Sequence, residues 1–222
     1  MKALIFLLTF FWGIQAGFSQ KVYVDYKPQY TEWVRNYIVD KIEYTKEHTI
    51  FYFRYIGSRD YDAMDFRGLT NIDRWCLENV ENPDETFYLT DIRNIRVENE
   101  LKMETIGDKD IFYHSPQVGQ SVTCEVYFPR LPKHIKKAHF LEGKEAKGRT
   151  NHFHALDVRL KTFDDPDLGT ENDRTERILK LKERLVTTYK RTQRYSIRYV
   201  PTQNNQNLKQ SSTTTTECKA RM

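Results

Sequence analysis

Polar and apolar residues alternate along much of the chain, in runs rich in β-branched and aromatic side chains, and this pattern predicts β-strands. In the clearest run, residues 121–128 (SVTCEVYF), apolar residues occupy every second position from Val122 to Phe128. Residues 49–56 (TIFYFRYI) are apolar on both faces, so we expect them in the centre of a sheet, antiparallel to residues 33–44. The polar turns between these runs favour an antiparallel sandwich over an α/β arrangement.

Five further strands complete the predicted set. They are predicted at residues 22–26, 72–80, 86–92, 136–141 and 153–160. The Asn-Pro-Asp sequence at residues 82–84 is strong turn chemistry, and it predicts a hairpin between the second and the third of these runs. Residues 57–68 are predicted to form a polar loop, and residues 98–112 show no clear periodicity.

The pattern changes to a helical one near the C-terminal end. An apolar stripe at spacings of three and four is formed by Ile178, Leu181, Leu185 and Tyr189. Thr170 and Asp173 stand where a hydroxyl cap and its partner carboxylate are expected. We therefore predict a basic amphipathic helix over residues 170–195, followed by a disordered polar tail at residues 201–222.

The N-terminal residues have the features of an export signal. Lys2 precedes an apolar run at residues 3–14, and the small residues Gly17 and Ser19 offer a cleavage site. The run is shorter than the roughly 18 to 20 residues of a membrane-spanning helix, which disfavours the alternative of an uncleaved anchor. We predict a signal peptide at residues 1–19, a sandwich domain at residues 20–163, and a secreted, periplasmic or outer-membrane-associated protein.

Composition and charge narrow the classes of function. The chain has 222 residues, a net charge of +4 and 14% aromatic residues, which excludes collagen-like, wholly disordered and multispanning membrane classes. Residues 174–198 contain nine lysines and arginines but two acids. For an exported protein, nucleic acid is the least expected partner of such a segment. The stripe should be covered either by the chain's own sandwich or by a partner, which would be an envelope protein or an anionic membrane surface.

Four basic side chains flank or oppose the apolar stripe of this helix. They are predicted to bind the partner, and they are Arg177, Lys180, Arg184 and Arg191.

The sequence contains no convincing catalytic arrangement. There is no Gly-x-Ser-x-Gly motif, and Cys76 and Cys124 lie within strand patterns, where a thiol usually packs as a small apolar group. A disulfide between these two cysteines and two reduced, buried thiols are both compatible with the pattern. We therefore expect no enzymatic activity and no cofactor.

Histidines supply the alternative hypothesis, a metal-binding protein or a metal-dependent hydrolase. His152 and His154 are two residues apart on a predicted strand, so both imidazoles should lie on one face. Zinc requires three or four ligands, and neighbouring lysines would oppose a cation. The other candidate ligands nearby are His134, His139, Glu142 and Asp157.

Three segments resemble a known type of domain. Residues 74–95, 121–143 and 153–160 resemble a β-sandwich common in exported proteins of Bacteroidetes-type bacteria, related to telokin-like and immunoglobulin-like sandwiches. The resemblance covers roughly residues 38–160, and its most specific element is the Phe-Pro-Arg-Leu-Pro sequence at residues 128–132. One departure is Arg93-Asn94, where the family more often has a glycine-containing turn. The resemblance implies an interaction or scaffold module without shared catalytic residues.

The two prolines of residues 128–132 also allow a prediction of the backbone path. Pro129 and Pro132 fix the backbone φ angle and remove two hydrogen-bond donors, so the strand must leave its sheet after Phe128. Leu131 should then turn into the core. Together, these patterns predict a mainly β, antiparallel, immunoglobulin-like sandwich with a C-terminal amphipathic helix, acting as a non-catalytic interaction module of the cell envelope.

Overall fold

The computed structural model describes residues 21–198 except residues 33, 148, 150 and 151, and it does not describe the side chains of residues 32 and 194–198. The signal peptide predicted at residues 1–19 and the disordered tail predicted at residues 201–222 lie outside the described residues. Within them, the protein is mainly β, with antiparallel sheets and one long C-terminal helix, as the alternation of the sequence predicts.

The elements follow one another from the N-terminal to the C-terminal end of the described chain. They are β1 (Tyr23–Asp25), β2 (Thr31–Glu32), β3 (Tyr37–Tyr44), β4 (His48–Ile56), β5 (Met64–Arg67), β6 (Trp75–Asn79), β7 (Thr86–Tyr88), β8 (Asp91–Val97), β9 (Glu100–Thr105), β10 (Ile111–His114), β11 (Ser121–Pro129), β12 (Lys137–Glu142), β13 (His154–Arg159) and α1 (Glu171–Arg198), with a short 3-10 helix (Lys144–Ala146) before β13.

Two sheets pack face to face to form a sandwich. The first sheet has the order β1-β3-β4-β11-β8-β9, the second has the order β2-β13-β12-β6-β7, and β5 and β10 form a separate pair. Aromatic side chains fill the space between the sheets. Phe51 of the first sheet lies 4.7 Å from Phe140 of the second, and Phe53 lies 4.8 Å from Trp75, measured between ring centroids. These tilted and edge-to-face contacts bury large apolar areas and stabilise the packing of the sheets.

The two longest strands behave as their sequences predict. The strand β4 lies between β3 and β11 and is central in its sheet. Along β11, Val122, Cys124, Val126 and Phe128 are all buried, while the residues between them are partly exposed. The predicted hairpin is also present, because β6 and β7 pair across the Asn-Pro-Asp turn.

The strand predicted for residues 33–44 begins later than predicted. The strand β3 covers residues 37–44 and pairs antiparallel with β4, as predicted, while β2, at residues 31–32, lies at the edge of the second sheet. A turn at residues 34–36 separates them, where the Tyr37 N–H donates to the Val34 carbonyl at 3.2 Å. This turn contains neither glycine nor proline, so the sequence carried no signal for it.

The polar loop predicted for residues 57–68 is wrong in its second half. Met64 and Phe66 are buried and alternate with polar residues in β5, which pairs with β10. Residues 98–112, which lack a clear pattern, supply β9 and the first half of β10. Both segments form short strands, whose few residues give a weak periodic signal.

The Phe-Pro-Arg-Leu-Pro turn has the predicted geometry. Pro129 is the last residue of β11, and Leu131 is buried with 6% of its surface exposed. The Leu131 N–H donates to Thr49 Oγ1 at 3.2 Å, and the Arg130 N–H donates to the Glu47 carbonyl at 2.9 Å. The turn therefore closes over the start of β4 with Leu131 in the core.

The departure at Arg93-Asn94 also has a physical explanation. Asn94 has a φ angle of 52°, in the left-handed region, and β8 and β11 shift register at this point, between Thr123 and Glu125. Asparagine tolerates this conformation better than other non-glycine residues. Asn94 thus occupies a bulge that a glycine could also form.

Candidate partner-binding surface

The helix α1 begins with a reciprocal cap. The Asp173 N–H donates to Thr170 Oγ1 at 3.3 Å, and the Thr170 N–H donates to Asp173 Oδ2 at 2.8 Å. Hydrogen bonds from Thr170 also lower the pKa of Asp173. From this cap the helix runs for 28 residues, or about 42 Å, which confirms the helix predicted for residues 170–195.

The apolar stripe of α1 faces the sandwich. Its four members are half-buried, and Tyr189 Oη also donates to the Asp60 carboxylate at 2.8 Å. The helix also passes close to Gly119, which has a φ angle of 83°. A Cβ atom at this position would lie 3.0 Å from Val186 Cγ2, so glycine allows the helix to lie close to the turn. This side of α1 therefore lies against the sandwich at Val186 and Tyr189.

Two arginines near the start of α1 bind the sandwich through Asp40. Arg177 Nη2 donates to the Asp40 carbonyl at 2.5 Å and to the Val39 carbonyl at 3.3 Å. Arg174 Nη1 lies 3.2 Å from Asp40 Oδ2, and the same carboxylate is held by Arg54 at 2.7 Å. The Asp40 side chain is only 4% exposed, so these contacts are shielded from water. Arg177, one of the four predicted partner-binding residues, is therefore engaged with its own sandwich.

The other three predicted partner-binding residues are placed together on the opposite side. Lys180, Arg184 and Arg191 are exposed, and their spacing brings them to one outward face of the helix. Lys180 forms an exposed ion pair with Glu176 at 2.5 Å, which costs little to break. We call Lys180, Arg184 and Arg191 the outward basic face.

The histidines of the alternative hypothesis make separate contacts. His154 is buried, and its Nε2 atom lies 2.9 Å from the Ala146 carbonyl oxygen. His152 precedes β13 and lies 3.8 Å from Asp73. Burial lowers the pKa of both rings. His134 contacts Glu85, and the Nδ1 atom of His139 accepts a hydrogen bond from the Asp157 N–H.

No group of three or more metal-ligating side chains forms among residues 21–198 as far as the structure describes them. A metal site at His152 and His154 stays a prediction, because the described residues do not bring three candidate ligands together there.

The two described cysteines are free thiols in the core. Cys76 lies in the second sheet and Cys124 in the first, and both are buried. Burial raises the pKa of Cys76 to about 12 and that of Cys124 well above its ordinary value. Since the thiolate is the reactive form, both side chains act as small apolar groups at neutral pH.

No family model, curated protein or solved structure matches this chain. The resemblance to telokin-like and immunoglobulin-like sandwiches therefore stays a prediction. Among the described residues, no helix combines the length and the apolar character needed to span a membrane.

Proposed function

We propose that this protein is a non-catalytic, exported interaction module, and that its outward basic face binds an acidic surface of another envelope protein. One observation carries the proposal. The basic residues of α1 divide into two sets, because Arg174 and Arg177 bind the sandwich while the outward basic face remains exposed to solvent. The first set holds the helix against the sandwich, and the second set is left available to a partner.

The orientation of the helix favours an acidic protein over a membrane. A helix that inserts into a bilayer surface needs a free apolar face. Here the apolar stripe is half-buried and not free, and between residues 171 and 193 of α1 Leu179 is the one large apolar residue that is highly exposed, at 62%. The outward basic face can therefore contribute mainly charge, which accelerates association and selects partners of opposite sign.

Charge reversal tests this function directly. The variant Lys180→Glu/Arg184→Glu/Arg191→Glu should lose its cross-links to envelope proteins in the native host, as detected by mass spectrometry. Raising the salt concentration should weaken the wild-type association in the same way, because exposed charges are screened over about 8 to 10 Å. The melting temperature should change by less than about 3 °C, since these side chains are exposed to solvent.

A matched control separates local from global charge effects. Lys46, Lys109 and Lys137 are exposed on other surfaces, and their replacement by glutamate changes the net charge by the same amount. This control should keep the cross-links. Retention of the cross-links in the α1 variant would contradict the proposal. So would co-sedimentation of the wild type, but not of the α1 variant, with phosphatidylglycerol vesicles, because that result would assign the face to a membrane.

A further inference from the structure

A concave surface lies between β1, the Phe-Pro-Arg-Leu-Pro turn and the segment that follows β13. The pocket has a volume of about 400 Å³. This size lies within the range of ligand pockets in proteins, about 300 to 1,000 Å³.

The inner surface of the pocket is apolar and aromatic. Leu131, Ile135 and Leu160 line it and are buried in the core. Tyr23 and Tyr44 also line it and stack on each other, with ring centroids 4.5 Å apart and an interplanar angle of 16°. Such a surface favours a flat apolar body, because aromatic rings stack on one another with good contact.

A wall of the same pocket is open to solvent. Phe163 is 45% exposed and lies edge-to-face with Tyr23 at 6.1 Å. An exposed phenylalanine at the mouth of an apolar pocket leaves apolar surface that a ligand could cover.

The two tyrosines of the lining differ in their hydroxyl groups. The Tyr23 Oη donates to the Lys161 carbonyl at 2.8 Å. The Tyr44 hydroxyl is buried, so Tyr44 contributes its ring and not its hydroxyl to the surface of the pocket.

Basic side chains surround the opening. Lys21, Arg130, Lys133 and Lys136 line the pocket, against one acidic residue, Asp164, which lies 3.6 Å from Lys21. The charge of Lys161, which also lines the pocket, is matched by Asp25 at 2.8 Å.

Arg130 is held in place by the protein itself. Its guanidinium stands over the Tyr44 ring at 5.0 Å, and its Nη1 atom donates to the Thr45 carbonyl at 2.9 Å. The positive charge at the opening is thus partly preorganised, which lowers the cost of binding an anion.

We propose that this pocket binds a small aromatic anion, with one or two rings against the tyrosines and an acidic group at the basic opening. The anion class follows from the excess of basic residues, and the aromatic class follows from the stacked Tyr23 and Tyr44. This site is separate from the outward basic face and does not depend on it.

Fluorescence of 8-anilinonaphthalene-1-sulfonate tests the proposal, because this probe is an aromatic anion. It should bind the full chain saturably with one site and a Kd of the order of 10 µM. Thr162 is exposed and lines the pocket, so Thr162→Trp should fill the space and weaken the probe about tenfold or more. The neutral analogue N-phenyl-1-naphthylamine should bind more weakly than the anion.

A second set of variants tests the role of the basic side chains at the opening. Lys133→Gln/Lys136→Gln should weaken the anionic probe about fivefold and leave the neutral analogue unchanged. Lys137 is exposed next to this pair but does not line the pocket, and Lys137→Gln should have no effect on either probe. The proposal is overturned by an absence of saturable binding, by binding that survives Thr162→Trp, or by equal affinity for the two probes in the wild type.

Discussion

Replacing Lys161 with methionine is expected to lower the free energy of unfolding by about 3 to 5 kcal/mol, the range observed when one member of a buried ion pair is removed. The Lys161 and Asp25 side chains are both 0% exposed, and Nζ lies 2.8 Å from Oδ1. Nζ also donates to the carbonyls of Lys27 and Asp167, each at 2.6 Å. In the methionine variant, the Asp25 carboxylate and the carbonyls of Lys27 and Asp167 would each lose a buried hydrogen-bond partner.

The pair joins three parts of the chain that are distant in sequence. Asp25 ends β1, Lys161 follows β13, and Asp167 belongs to the segment that leads to α1. Loss of the pair should therefore loosen both the edge of the first sheet and the start of the helix. Denaturant unfolding followed by tryptophan fluorescence measures the change.

Two further variants make this prediction specific. Lys21→Met carries the same substitution, but its ion pair with Asp164 is exposed, so the expected loss is under about 1 kcal/mol. The double variant Asp25→Leu/Lys161→Met should be more stable than Lys161→Met alone, because it removes the uncompensated charge. Strictly additive effects of the two substitutions would show that the pair is not coupled.

Replacing Glu142 with glutamine should remove the pH dependence that this side chain gives to the free energy of unfolding. At pH 8 the variant should be more stable than the wild type by about 2 kcal/mol. Glu142 lies at a narrow cleft of about 50 Å³ among Tyr37, Trp75 and Phe153. Burial raises its pKa to about 7, while the hydrogen bond from the Phe153 N–H, the nearby acids and Arg67 have smaller effects. The full shift from 4.5 corresponds to roughly 3 kcal/mol, and water in the cleft should reduce it.

The sign of this pH effect follows from the direction in which the Glu142 pKa is shifted. The folded protein holds the Glu142 proton more tightly than the unfolded chain does, so this contribution to stability is fully present below about pH 4.5. It is lost as the pH rises through about 7. Glutamine cannot ionise and can still accept the Phe153 N–H, so the variant should be more stable than the wild type at pH 8 but not at pH 4.5.

The exposed neighbour Glu145 provides the control. Glu145→Gln should change the stability by the same small amount at both pH values. Denaturant midpoints measured at pH 4.5 and pH 8 give the comparison. A Glu142→Gln effect that is independent of pH would contradict a raised pKa at this position.

The strands that could be predicted from sequence are those whose pattern is long and local. In β11 the alternation extends from Val122 to Phe128, and in α1 the stripe, the cap at Thr170 and the basic residues all agree on a helix. The turn after Phe128 was predictable for a different reason, because two prolines restrict the backbone wherever they occur.

What sequence could not supply are contacts between distant residues. Lys161 and Asp25 are 136 residues apart, and no local pattern indicates that they meet. The role of Arg177 was hidden in the same way. Its position beside the apolar stripe was visible, but its bond to the Asp40 carbonyl depends on how the helix lies on β3. The division of the basic residues into an inward set and an outward set therefore required the structure.

Site-specific photo-crosslinking within α1 is the measurement that tests the proposed arrangement most directly. Thr187 lies on the outward side between Arg184 and Arg191, and Leu185 lies on the side of α1 that also carries Tyr189, which bonds to Asp60. With p-benzoylphenylalanine at one position at a time, in the full chain in its native envelope, position 187 should form an adduct with another protein. Position 185 should form cross-links only within the chain. Adducts with another protein from position 185, and none from position 187, would contradict the proposed arrangement.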